Sequence, residues 1–163
     1  MSHDYSTAAL AAERARLLKS VMEHKQVGMA VLGSGPEAKE ASLRGLAFAL
    51  EPHRAVFVPI NSDQDLAELR PALESDAVEK VGHDLKYAVS ILKWHNQALQ
   101  GPLFDVMLAH SLIEPEMRHS LEYLSEVYLG YSTIAAPQPE KAIPCTSTGS
   151  FSPSENRSTA STT

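Results

Sequence analysis

The chain has 163 residues, 44% hydrophobic and 21% charged, enough apolar content to bury one core of ordinary domain size and too much for a disordered polymer. Its formal net charge of −6 repels a phosphate backbone and weighs against a free-standing nucleic-acid binder that works through overall charge. The single cysteine, Cys145, excludes an internal disulfide and a thiolate metal cluster, and no apolar run approaches the roughly 20 residues of a membrane span.

The N-terminus carries acidic and basic residues where a signal peptide needs an apolar block, so a cytoplasmic location without a membrane partner is expected. Residues 5–25 place Ala, Leu and Val at helical spacing with Glu13, Arg14, Arg16 and Lys19 between them, which predicts an amphipathic helix with a solvated charged face. "VGMAVLG", residues 27–33, reads as a buried strand closed by glycine. Residues 42–60 read as two strands joined by a turn at 51–54, so three successive strands suggest a meander. Asn61 or Ser62 can cap a short helix, and "AVEKVGH" gives another brief strand. Asp84 can cap a helix running to about Asn96 with Leu85, Ala88, Val89 and Leu92 on its apolar face. Two further helices, 105–113 and 120–129, flank the breaker "EPEMRH", and Asp105 suits a helix cap better than a ligand. His83, His110 and His119 lack i, i+4 spacing, which favours partly exposed packing over a zinc site. Residues after Ile134 are rich in Ser, Thr and Pro and read as a disordered tail.

Strands followed by alternating helices imply an α/β layer architecture. On that frame, "LRGLAFALEPHRAVFVPI", "KVGHDLKYAVSILKWHNQALQGPLFDVMLAHSLIEP" and "HSLEYLSEVYLGYSTI" resemble the 3′-5′ proofreading exonuclease domain of family A DNA polymerases, the bacterial DNA polymerase I type. The resemblance runs in order, with nearly the same spacing, over residues 27–134. It implies an RNase H-like fold, with a mixed sheet of an antiparallel meander and then a parallel strand, flanked by helices. It divides the chain into an N-terminal helix or linker (1–26), an exonuclease-like domain lacking its last motif helix (27–134) and a disordered tail (135–163).

Such exonucleases hold two Mg2+ or Mn2+ ions on four carboxylates, activating a water and stabilising the leaving oxygen. The resemblance puts Ala30 and Leu32 at the Asp and Glu of the first motif, Asp84 at the Asn of the second and Ala88 at its metal-binding Asp. The third motif, Tyr-x-x-x-Asp, has no counterpart, since no Asp follows Asp105. A methyl or isobutyl group coordinates no hard cation, so no catalytic residue, no metal site and no cofactor are expected. The implied function is that of a vestigial, inactive exonuclease-like domain with a structural role beside a polymerase domain in DNA replication or repair. Its implied partners are that polymerase domain and, weakly or indirectly, DNA, with Lys86 and Tyr87 as candidate nucleic-acid contacts. Two alternatives come from other classes. Gly33, Ser34 and Gly35 open a loose G-x-G-x-x-A that would suit a dinucleotide-binding module, although residues 36–43 are too few for a parallel crossover. The scaffold could also serve as a repurposed protein-interaction domain.

Overall fold

Alternation of large and small side chains across residues 26–33 builds the central strand. Val27 and Met29 are buried on one face, and Gly28 and Ala30 lie on the other. The structure, a computed structural model, describes residues 4–133. In chain order it contains β1 (Asp4–Thr7), α1 (Ala11–Glu23), β2 (Gln26–Gly33), β3 (Leu43–Glu51), β4 (Arg54–Pro59), α2 (Asp63–Leu73), β5 (Glu79–Gly82), α3 (Leu85–Trp94), β6 (Leu103–Asp105), α4 (Val106–Ile113) and α5 (Leu121–Leu129). The strands form one mixed sheet in the order β1-β4-β3-β2-β5-β6. The β2-β3-β4 meander is antiparallel, and β1, β5 and β6 join their neighbours in parallel. This is the expected architecture of meander, parallel strand and flanking helices.

One face of the sheet carries the core. Leu46, Phe48 and Val58 of the meander meet Leu17 and Val21 of α1, Leu69 and Leu73 of α2, and Ile91 and Leu92 of α3, all nearly or fully removed from water. Ser62 caps α2 as the sequence suggests, and the cap is reciprocal: Ser62 Oγ accepts from the Asp65 N–H while the Asp65 carboxylate accepts from the Ser62 and Asn61 N–H groups.

Three expectations change. The first helix begins at Ala11, and Asp4–Thr7 extends the sheet, so residues ahead of the meander are built into the same layers. Arg14, read as part of a solvated face, is buried: its guanidinium meets Glu68 at 2.6 Å and Asp65 at 3.0 Å on α2. The dinucleotide-binding alternative is overturned, because β2 and β3 are adjacent antiparallel strands and no crossover helix exists to present its N-terminus to a phosphate. Gly33 is small for a different reason: a β-carbon there would collide with Tyr87 and Ile91 of α3. The tail expectation for 135–163, and Ile134 with it, lies outside the described residues. Among the described residues no helix is long and apolar enough to cross a membrane.

Candidate functional site

Helix α3 is fixed to the sheet at both ends. At its start, the Tyr87 hydroxyl donates to the Gly35 carbonyl oxygen at 2.6 Å, just beyond the end of β2. At its end, His95 Nε2 accepts the Leu43 N–H of β3 at 3.2 Å. The positions matched to nuclease acids sit around this helix and strand. Ala30 lies opposite Ala47 and Leu32 opposite Gly45, both on the face of β2 turned away from the core. Ala30 lines an open, mostly apolar cavity of about 560 Å3 together with Gly28, Ala47, Gly82, His83 and Val106. Leu32 is 52% exposed. Ala88 is 4% exposed and belongs to the core cluster with Leu85, Ile91 and Leu92, and it does not line that cavity.

The acids of this region are engaged by backbone amides. Asp84 adopts a left-handed conformation (φ 54°, ψ 54°) at the start of α3, and its carboxylate accepts the Tyr87 N–H at 3.3 Å, the capping role its position suggests. Asp105 does more than cap its own helix. Its carboxylate accepts the Met107 and Leu108 N–H groups of α4 at 2.9 and 3.4 Å, and also the Asp84 and Leu85 N–H groups at the start of α3 at 3.3 and 2.7 Å. One side chain thereby satisfies the amides of two helix starts. Nothing in the local sequence signals the second pair, because those donors come from about 20 residues upstream.

Lys86 is exposed on α3. Tyr87 is half-buried against the core with its hydroxyl engaged by Gly35. Burial, and then the Asp84 charge, raise the phenol above its ordinary value, so it stays a neutral donor. His83, His110 and His119 converge, which spacing alone could not reveal: His110 and His119 meet through their Nδ1 atoms at 2.7 Å, and His83 Nε2 lies 2.6 Å from the His119 carbonyl oxygen. His110 is buried rather than partly exposed.

These residues do not fit a pair of divalent ions. Among the described residues no three His, Cys, Asp or Glu side chains are gathered where an ion could sit, and Ala30, Leu32 and Ala88 offer no oxygen.

Comparisons with known proteins agree with the geometry of the fold. A 3′-5′ exonuclease family matches residues 35–141. DNA polymerase I of Pseudomonas aeruginosa is 30% identical over 131 residues, which is 72% of this chain and 14% of that protein, so the chain spans a small part of its relative's length. Among solved structures, the POL domain of Pol1 from M. smegmatis, determined with DNA primer-template and dNTP, is similar with a TM-score of 0.67 and 25% identity, over 78% of this chain and 23% of that one. RNase D of Escherichia coli, an exoribonuclease, shares the fold with a TM-score of 0.65 and 15% identity, over 84% of this chain and 39% of that one.

Proposed function

The chain belongs to the 3′-5′ exonuclease family of the DNA polymerase I type, and from that premise we propose that it is a degenerate member, inactive as a nuclease, which serves as a structural element beside a polymerase region in DNA replication or repair. The observation that carries this reading is the set of side chains at the acid positions. Ala30 and Leu32 replace two oxygen ligands with hydrocarbon, and Ala88 replaces a third and is closed inside the core. Without those carboxylates neither the attacking water nor the leaving oxygen gains its metal partner. Two further features support a role in contact with another protein region. α4 and α5 present Leu112, Ile113 and Leu129 to solvent at 73–85% exposure, apolar side chains that another protein region would cover. The net charge of −6 also favours a protein surface over a nucleic-acid backbone as the direct partner, with DNA reached through the polymerase region.

The test is a 5′-labelled single-stranded DNA incubated with the purified chain and either Mg2+ or Mn2+. The expected result is no 3′ shortening above a no-protein control, together with no saturable heat and no rise in melting temperature on titrating either ion. Metal-dependent shortening that co-purifies with the folded chain through two orthogonal columns would overturn the reading.

A further inference from the structure

The three histidines form a chain across three separate pieces of structure. His110 is the fifth residue of α4, His119 lies just before Ser120, the cap of α5, and His83 follows β5 at the edge of the cavity. A hydrogen bond between two Nδ1 atoms at 2.7 Å needs one proton and one bare lone pair, so one ring donates while the other is neutral at that nitrogen. With both rings protonated, two N–H groups would point at each other across that distance, and the contact could not persist. The His83 link behaves differently. Its Nε2–H donates to the His119 carbonyl oxygen, a bond that survives protonation of the His83 ring at its other nitrogen.

From this geometry we infer that His110 and His119 form a proton-operated clasp, which holds α4 to the segment entering α5 while at least one ring is neutral and opens when both are charged. Among the described residues no ion pair supplies the second proton with a counter-charge. From α5, the rings of Tyr123 and Tyr128 stand edge-on to His110, with centroids 6.5 and 5.7 Å away. From the β5–α3 turn the facing group is His83. The charged residues nearest along the chain are Asp105, Glu114, Glu116, Arg118, Glu122 and Glu126; Asp105 is engaged by four backbone amides, the others are exposed, and among the described residues none forms an ion pair with either ring. Burial of His110 makes an unpaired second charge costly there. Val106 and Leu121 rest against the open face of the sheet, so loosening the clasp acts on the two helices that cover part of that face and leaves the main core on the other side intact.

Amide hydrogen exchange, corrected for its intrinsic pH dependence, tests the clasp between about pH 7.5 and about pH 5, the range where imidazole charges. Protection in α4 and the first turn of α5 should fall about tenfold or more relative to β2 and β3, because the opened rings can each hold a proton where the closed contact has room for one. His110→Asn supplies a carbonyl oxygen that accepts from His119 Nδ1–H in either charge state, and that variant should keep its protection at the lower pH. A wild-type ratio that changes less than about twofold, or an equal loss in His110→Asn, overturns the inference. A measurement on the unaltered chain decides the matter if the variant does not fold. In spectra of 15N-labelled imidazoles, each of the two rings should report both proton steps of the pair, and two independent single-step titrations would overturn it.

Discussion

Asp105 illustrates how much a single short side chain can hold. With four amides from two helix starts on one carboxylate, Asp105→Ala leaves those donors unsatisfied in a partly buried pocket and should cost about 2–4 kcal/mol in urea unfolding, against about half of that for Asp105→Asn, which keeps one acceptor oxygen. A loss below about 0.5 kcal/mol for the alanine variant would contradict the shared-cap account. Asp65 gives a pH signature. The Asn61 N–H is the main cause that holds its carboxyl below the ordinary value of 3.8, helped by Ser62 and Arg14 against the opposing effect of burial. A carboxyl lowered in the folded state contributes stability that is complete above its unfolded value and lost as pH falls through the folded one. The acid limb of the stability curve below pH 3.8 should therefore be shallower in Asp65→Asn, as followed by acid titration of circular dichroism. The positions that the resemblance matches to nuclease acids divide in the same way. Leu32→Glu adds a charge at an exposed site and should shift stability by less than about 0.5 kcal/mol. Ala88→Asp adds a carboxyl inside the core and should cost about 2–4 kcal/mol, because the group must hold its proton or remain buried and charged. A carboxyl raised in the folded state makes that variant weaker at about pH 7 than at about pH 4. Equal effects from the two substitutions would show that Ala88 is not enclosed as described. The caps at Asp84 and Asp105 were legible from residue type and position, whereas the histidine pair was not, because its two rings meet across a helix break rather than at a helical interval.

At the level of elements, the helix-to-helix clamp depends on Arg14. Replacing it with Met leaves Asp65 and Glu68 facing each other without their cation and should lower stability by about 1–3 kcal/mol, with Arg14→Lys recovering part of the loss because the charge remains and the planar fork does not. Denaturation midpoints of the two variants check the order. Strands β2 to β4 and helices α2 to α5 could be read from the sequence because each carries its own period, turn or cap. β1 and β6 could not. "DYST" and "LFD" are short edge segments without alternation, and they are strands because a neighbour offers them a ladder. The burial of Arg14 was hidden for a related reason, since a helix's charged stripe looks the same whether water or a second helix faces it.

For the molecule as a whole, the sheet has a closed side and an open side. The first, beneath α1, α2 and α3, was legible as a set of apolar faces seeking one another. The second, where Ala30 borders the cavity, could be weighed as a site only through the resemblance to a nuclease family, because small residues on a strand do not by themselves mark one. The parallel pairing of β1 with β4 has a consequence for the order of assembly. Asp4 sits opposite Arg54, about fifty residues away, so β1 has no partner in the sheet until the whole meander has been synthesised and shaped. Closing so long a loop carries an entropic cost that the local hairpins avoid, which makes β1 the last of these strands to dock and the first to detach. Among the six described strands, the one made earliest is thus the one paired latest.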